Sequence, residues 1–164
     1  LKGGFSAGRG GNPSQTKDST MATSVKYEVA VEHLMNKVHD LFGTSGSTAD
    51  VMKVVIHSDA PVVATDATLS DLTQVTGTGY SAGGSGATNV GTRSGGTVTV
   101  ACTDVTWTAG AADWVAARYV SQYNDTPTSP ADPLWCSWDY GANFTLGNGE
   151  TFSVDYGASA FTLA

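Results

Sequence analysis

The chain has 164 residues, which is enough for one domain with a real core but too few for two full domains. Charged residues make up only 14% of it, well under the roughly 25% of typical soluble domains, and such a coat suits a protein packed among neighbours. The net charge of −7 argues against nucleic-acid binding, and no apolar stretch approaches the ~20 residues of a membrane span. We therefore expect a soluble protein made in the cytoplasm, with neither nucleic acid nor membrane as a partner.

The first 20 residues are predicted to form a flexible, glycine-rich N-terminal arm. They show neither helical nor strand periodicity and lack the apolar core of a signal peptide. The arm carries a charge of +2, which leaves −9 for the other 144 residues. Met21 offers a natural start, so the arm is interpreted as a non-native remnant, a product of upstream initiation, or a native extension that threads onto a neighbour.

A helix is predicted over residues 25–42, because apolar side chains recur there at helical spacing. The stripe consists of Tyr27, Val31, Leu34, Met35, Val38, Leu41 and Phe42. Ser24 is the expected N-terminal cap, and Gly43 is the expected left-handed stop.

The segment after the helix alternates between strand and turn signals. Residues 51–57 (VMKVVIH) predict a central strand that is covered on both faces. Residues 69–75 predict a short helical turn that begins at Thr68 or Ser70. Residues 77–86 are too rich in glycine to be regular. Their start, GTGYSA, matches the dinucleotide fingerprint loosely, but no helix follows, so a mobile or neighbour-contacting loop is the better interpretation.

The second half of the chain predicts a series of strands. Alternating apolar residues place them at 97–103, 105–107, 114–123 and 134–140, and Phe161 and Leu163 belong to a terminal strand. Gly147-Asn148-Gly149 predicts a hairpin between residues 144–146 and 152–156, because Asn-Gly favours a type I′ turn. The chain is therefore predicted to be mainly β, an antiparallel β-sandwich or barrel with one N-terminal amphipathic helix, and residues 21–164 to form a single β-rich domain.

No residue pattern predicts catalysis, a metal or a cofactor. The chain lacks the G-x-S-x-G of a nucleophile turn, and the spacing of carboxylates suited to glycoside cleavage cannot be derived from sequence. His33 and His39 lie six residues apart on the predicted helix and should not share a face, so these histidines are expected to be solvated or capping. Cys102 and Cys136 are predicted to be buried free thiols, with a disulfide as the open alternative.

Aromatic residues concentrate in the β-rich part, where they form core, a protein interface or a sugar-binding platform. Trp135 and Trp138 are three apart in one strand and should point to opposite faces, so at least one is expected to leave the core. Arg118 is expected to be a buried anchor paired with Asp104 or Asp139, or to lie at an exposed edge. The candidate interface residues are Lys2, Phe5, Arg9, Lys17, Tyr80 and Trp135.

Several short segments, in this order, resemble a family of small virion structural proteins of tailed bacteriophages over residues 26–164. The segments are Lys26-Tyr27, Gly79-Tyr80-Ser81-Ala82-Gly83-Gly84, Asp104-Val105-Thr106-Trp107-Thr108-Ala109, Ala117-Arg118-Tyr119, Tyr123-Asn124-Asp125, Asp139-Tyr140-Gly141 and Gly149-Glu150-Thr151-Phe152. The arm is not part of the resemblance.

The resemblance implies a non-enzymatic protein of the virion, made in the bacterial host cytoplasm. It implies a capsid decoration or cement protein that binds the shell in many copies. The alternative is a tail, tail-tip or fibre component with a receptor- or glycan-binding β domain. The expected partners are phage capsid or tail proteins and further copies of the chain, with a trimer as one arrangement.

Overall fold

The structure is a computed structural model that describes residues 16–20, 24–41, 49–111 and 113–163, with the backbone alone for residues 16–20. The elements in chain order are β1 (Thr16–Thr20), β2 (Val25–Lys26), α1 (Glu28–Met35), β3 (Met52–His57), a 3₁₀ turn (Leu69–Asp71), β4 (Ser85–Gly86), β5 (Asn89–Ser94), β6 (Thr97–Cys102), β7 (Val105–Thr108), β8 (Ala117–Asn124), β9 (Leu134–Phe144), β10 (Thr151–Asp155) and β11 (Phe161–Leu163).

The strands form three sheets arranged like a sandwich. A five-stranded sheet has the order β2-β9-β8-β3-β4, and the two three-stranded sheets have the orders β11-β6-β5 and β1-β10-β7. Every pairing is antiparallel except that of β1 with β10, which is parallel. The sheets do not close into a barrel. The predicted class, mainly β with antiparallel sheets and one N-terminal helix, is confirmed.

The strand predicted at 51–57 is confirmed as β3. It lies between β8 and β4, and Val54, Val55 and Ile56 are fully buried although they alternate between the two faces of the sheet. Burial of both faces explains why its sequence is almost continuously apolar. No helix among the described residues is both long and apolar enough to cross a membrane.

The helix is shorter than predicted at both ends. Residues 25–26 pair with β9 as a strand, so Tyr27 rather than Ser24 occupies the N-cap position. At the other end Lys37 adopts a φ of 58°, its N–H donates to the carbonyl of Leu34 (3.2 Å), and Val38 N–H donates to the carbonyl of His33 (2.8 Å). These two bonds form a Schellman motif, which ends the helix before the apolar pattern does. The predicted stop, Gly43, lies outside the described residues.

The predicted hairpin across Asn148-Gly149 is wrong in its partners. The turn forms, with the N–H of Glu150 donating to the carbonyl of Gly147 (3.0 Å), but β10 pairs with β7 and β1 rather than with β9. The reason is that the chain around the turn bonds to an earlier loop: Leu146 accepts the Trp114 N–H (2.9 Å), and the carbonyl of Glu150 accepts the Ala109 N–H (2.8 Å). The turn therefore connects two sheets.

Other elements also differ from the sequence predictions. Residues 16–20, within the range assigned to the arm, form β1 and pair with β10 from Thr16 opposite Thr151 to Thr20 opposite Asp155. Residues 1–15 lie outside the described residues. Strand β5 was not predicted; it pairs with β6 across Gly95-Gly96, where Gly95 has a φ of 59°. The predicted turn at 69–75 is present as the shorter 3₁₀ turn.

Candidate functional site

A chain of hydrogen bonds runs between the five-stranded sheet and the segment that leads into α1. The Tyr27 hydroxyl lies 2.9 Å from the Ser121 hydroxyl, which lies 2.8 Å from His57 Nε2. His57 Nδ1 lies 2.9 Å from the carbonyl oxygen of Asp59. All three side chains are fully buried. We call Tyr27, Ser121 and His57 the buried relay.

The protonation of the buried relay follows from its burial. Loss of hydration lowers the pKa of His57 and raises the pKa of Tyr27 to about 12, so both are uncharged at neutral pH. A neutral imidazole that donates from Nδ1 to the Asp59 carbonyl must accept at Nε2. Ser121 therefore donates to His57 and accepts from Tyr27, and each member has a partner.

The buried relay brings together the residue types of a hydrolytic triad, but its geometry differs from that of a triad. The carboxylate of Asp59 is 3.6 Å from His57 Nδ1, farther than the main-chain carbonyl that takes the bond. Ser121 lies within β8 and is fully buried, whereas a catalytic serine must be exposed to its substrate. The arrangement can orient and satisfy polar groups, and it has no reachable nucleophile.

His33, His39 and Trp135 form a second cluster, the histidine cluster, which corrects the prediction that these histidines are solvated. The ring centroids of His33 and His39 are 5.4 Å apart, and those of His39 and Trp135 are 5.3 Å apart. Both histidines are buried. Because the helix ends at Met35 and the chain reverses at Lys37, His39 returns against His33 instead of following it along a helix.

The histidine cluster does not suit a metal ion. His39 Nδ1 lies 3.2 Å from the side-chain nitrogen of Asn124, an amide that can only donate there, because its oxygen accepts the Thr126 N–H (3.1 Å). The remaining nitrogen, Nε2, then carries the proton and offers no lone pair. Burial, with His33 as a second cause, lowers the pKa of His39 to about 4. In the described part of the chain, no three His, Cys, Asp or Glu residues are placed to hold a metal.

The two thiols lie in a third buried polar group, which joins two sheets. Asn89 Oδ1 accepts hydrogen bonds from Cys102 Sγ (2.9 Å) and Gln122 Nε2 (2.9 Å), and Gln122 Oε1 accepts one from Cys136 (3.9 Å). Both cysteines are free, as predicted. Burial raises the pKa of Cys102 to about 11 and that of Cys136 also, so both remain protonated and act as small polar packing groups.

Arg118 pairs with Asp139, one of its two predicted partners. The contact is bidentate, with Nε to Oδ1 and Nη2 to Oδ2 both at 2.8 Å, and the guanidinium lies 5.3 Å from the centre of the Tyr119 ring. The hydrogen bonds from Arg118 lower the pKa of Asp139. Both side chains are partly exposed, so the pair is a surface feature rather than a buried anchor. Asp104 instead accepts the Tyr156 N–H (3.1 Å).

Trp135 is fully buried and Trp138 nearly so, which corrects two predictions. Trp135 does not lie at an exposed interface, and neither tryptophan leaves the core. The β8–β9 register shifts between Gln122, opposite Cys136, and Tyr123, opposite Leu134. Trp135 is the extra residue of this bulge, and strict alternation of side chains does not continue through a bulge.

The other predicted interface residues are only partly within the described structure. Tyr80 is half-buried, packs against Trp114 with centroids 5.5 Å apart, and donates from its hydroxyl to Gln74 (3.1 Å). It therefore fixes the glycine-rich loop. Lys17 lies in β1, in register with Phe152. Lys2, Phe5 and Arg9 lie outside the described residues.

The segments that carry the resemblance contact one another. Gly79 has a φ of 93°, and any side chain there would collide with the carbonyl of Thr108. The Tyr123 hydroxyl donates to the carbonyl of Gly83 (2.8 Å), and the Ala109 N–H donates to Glu150 (2.8 Å). The segments are separate in sequence, and in the fold these contacts hold strands and loops together.

The outer face of α1 is the most exposed apolar surface on a helix in the described structure. The helix buries Ala30 and His33, whereas Val31 is 49% exposed and Met35 is 81% exposed. Residues four apart lie on the same face of a helix, so these two side chains are neighbours. We call Val31 and Met35 the outer face of α1. The predicted apolar stripe places both on the buried side, and for these two residues it is wrong.

No family model, no curated protein and no solved structure matches this chain. Its function is therefore inferred from the contacts of the described residues and from the resemblance of the short segments.

Proposed function

We propose that the chain is a non-enzymatic structural protein of a tailed-phage particle, a capsid decoration or cement protein that binds the shell in many copies. One observation carries the proposal: the reactive side chains are enclosed, while an apolar helix face is exposed. Ser121, His57 and Cys136 are fully buried, and Met35 is 81% exposed. A protein with this distribution offers surface to a partner rather than a nucleophile to a substrate.

The resemblance to virion proteins supports the same proposal. Its segments lie at contacts that determine the fold, such as Gly79 against Thr108 and Ala109 with Glu150. A pattern made of such contacts preserves a scaffold, which is what a shell-binding protein needs. The weakly charged surface, with 14% charged residues overall, suits a protein enclosed by neighbours.

The outer face of α1 is the proposed contact with a neighbouring shell subunit. Burying a side chain such as Val or Met stabilises an association by roughly 1.5–3 kcal/mol before ordering costs. Val31 and Met35 are already presented on a formed helix, so the backbone does not have to be ordered on binding and only side-chain freedom is lost. The gain per copy is modest, and with many copies bound the total stabilisation of the shell would be correspondingly larger.

The tail alternative is less well supported in its glycan-binding form. That form relies on exposed aromatic side chains, and the largest of these, the four tryptophans Trp107, Trp114, Trp135 and Trp138, are all buried. The copy number in purified particles separates the two proposals. Quantitative mass spectrometry should find hundreds of copies per particle for a decoration protein. A few copies per particle would favour the tail, and absence from particles would refute both.

The contact surface is tested with matched isosteric substitutions. Met35→Gln keeps the length and helix propensity of the side chain but removes its apolar end, whereas Val90→Thr makes a similar change on β5. We expect Met35→Gln to weaken retention on stripped particles about tenfold or more, and Val90→Thr to have little effect. Equal retention of both variants and the unchanged protein would show that the outer face of α1 is not the contact.

A further inference from the structure

One side-chain amide connects the turn after α1 to the five-stranded sheet. We call residues 36–40 the helix-end turn. The side-chain nitrogen of Asn124, the last residue of β8, lies 3.3 Å from the carbonyl oxygen of Val38 and 3.2 Å from Nδ1 of His39. The same nitrogen lies 2.5 Å from a carboxylate oxygen of Asp50. Asn124 is fully buried, so these contacts are made away from bulk water.

The neighbours of Asn124 determine which way its side chain faces. A main-chain carbonyl and a carboxylate can only accept hydrogen bonds, so the group that faces them is the NH₂ group. The side-chain oxygen of Asn124 in turn accepts the Thr126 N–H (3.1 Å). Nδ1 of His39 therefore accepts from an amide N–H, which requires that this nitrogen carry no proton. The contact exists only while the imidazole is neutral.

The two aromatic neighbours of His39 give no stabilisation to a charged ring. Strand β9 contributes the uncharged Trp135, with ring centroids 5.3 Å apart, and α1 contributes His33 at 5.4 Å, whose own charge would repel a second one. Within the described part of the chain, neither Nε2 of His39 nor Nδ1 of His33 has a hydrogen-bond partner. A second proton on His39 would therefore place a charge in a buried site and face an amide donor.

The carboxylates around the histidine cluster do not compensate for that charge. Glu32 is exposed on α1, where it acts on His33. The oxygen of Asp50 that meets Asn124 also accepts the Asp40 N–H (2.6 Å), so it already holds two hydrogen bonds. Burial, followed by the effect of His33, lowers the pKa of His39 to about 4. The closed arrangement is thus built for a neutral ring.

We propose that the helix-end turn is an acid-operated switch, in which protonation of His39 breaks its contact with Asn124 and separates the turn from β8 while the five-stranded sheet stays folded. The separation is local because α1 is weakly held: it has eight residues, buries only Ala30 and His33, and its N-cap residue makes no side-chain hydrogen bond to the helix. Strand β8, by contrast, is paired on both sides.

The switch is a property of the isolated chain, so its test is independent of the proposed function. It also extends that function. Met35 is the last residue of α1 and directly precedes the helix-end turn. Release of the turn therefore loosens the end of the helix that carries the outer face of α1, and binding through that face would weaken in acid.

Native-state hydrogen exchange measures the switch directly. The reporting amides are those of Asn36, Lys37 and Val38, which donate to carbonyls of α1 and lose these bonds when the turn is released. From His39 alone, their opening equilibrium should rise about 20-fold between pH 7 and pH 5, because the released ring regains its ordinary pKa of about 6.5. Small amounts of denaturant should not change this opening, since it exposes little surface, whereas they should speed exchange of Val120 and Ser121 in β8.

Matched variants assign the effect to one ring. His39→Gln keeps a polar side chain that stays uncharged at every pH, so the 20-fold rise should disappear. His33→Gln makes the same change on the neighbouring ring and should keep most of the rise. A rise that persists in His39→Gln would overturn the proposal, because the proton would then be taken up elsewhere.

The comparison within the unchanged protein is decisive even if a variant does not fold. The proposal is overturned if the amides of residues 36–38 show the same protection and the same denaturant dependence as those of β8, because the turn would then open only with the whole domain. It is also overturned if the opening of residues 36–38 is the same at pH 7 and pH 5. Local opening that increases in acid supports it.

Discussion

The five-stranded sheet and the β1 attachment are held together by different forces. In the sheet, β8 pairs with β3 and β9 over long antiparallel registers, and side chains on both faces are buried, including Val54, Val120 and Trp138. At β1, five residues pair in parallel with one strand, and the sequence supplies no apolar side chain.

The difference indicates where the free energy of folding comes from. Burial of apolar surface contributes about 25 cal/mol per Å², and this contribution is concentrated in the sheet. Backbone hydrogen bonds at β1 contribute little net stability because water replaces them. We therefore expect a stable body that remains folded when β1 is released, and the following predictions probe that contrast in order of decreasing effect.

The largest effect is expected from Trp135→Ala. The side chain is fully buried beside Phe161 and His39, so its removal should leave a cavity and cost about 3–5 kcal/mol. Thermal unfolding should show a fall in Tm of about 10 °C or more. Met35→Ala, on the exposed side of α1, should change stability by less than about 0.5 kcal/mol and serves as the control. Equal losses would mean that the assignment of core and surface is wrong.

Stability should also depend on pH through the histidine cluster. The pKa of His39 is about 4 in the folded chain and about 6.5 when unfolded, so the folded state binds fewer protons between these values. The contribution of His39 to the free energy of unfolding is therefore complete above pH 6.5. It falls by about 3 kcal/mol as the pH drops from 6.5 to 4, and it changes no further below pH 4. Denaturant unfolding at several pH values gives the free energy of unfolding as a function of pH, and this dependence on pH should be weaker in His39→Gln than in the unchanged protein. The same dependence on pH in both proteins would contradict the burial of His39.

A smaller loss is expected from Ser121→Ala. This change leaves the Tyr27 hydroxyl and His57 Nε2 buried without their shared partner, at a cost of about 1–3 kcal/mol. Tyr27→Phe removes only the end of the buried relay and should cost less, because Ser121 keeps its bond to His57. A double-mutant cycle of the two changes should give a coupling energy. Simple additivity would show that the relay is not formed.

Deletion of residues 1–20 should have the smallest effect on the isolated protein. It removes β1 and leaves Phe152 and Val154 of β10 with β7 as their paired strand. We expect a fall in Tm of less than about 5 °C. A larger fall would show that this segment belongs to the core of the body.

The sequence predicted those elements whose signal is local. Residues 51–57 are a short apolar run, and the strands around Thr97, Val105 and Leu134 carry their own periodicity, so their existence and the mainly β class followed from pattern alone. The sequence predicts too long a helix because its apolar spacing continues beyond Met35. The Schellman motif at Lys37 depends on a left-handed backbone, and no glycine or asparagine at that position indicates it.

The site was harder to predict because its members are distant in sequence. Ser121 lies 94 residues from Tyr27 and 64 from His57, and a serine within a strand gives no signal of its own. The misplaced hairpin has a similar cause, since Asn148-Gly149 specifies a turn but not the strands that it joins. The burial of Trp135 could be predicted only by someone who knew of the bulge opposite Gln122 and Tyr123.

The contrast between the sheet and β1 is tested most directly by native-state hydrogen exchange with residue resolution. The central amides of β8, including Val120, Ser121 and Gln122, should exchange only through global unfolding. The amides of residues 16–20 should exchange at least about 100-fold faster at the same pH, since release of β1 leaves the body intact. Protection of residues 16–20 equal to that of β8 would contradict the account, because β1 would then open only with the whole domain.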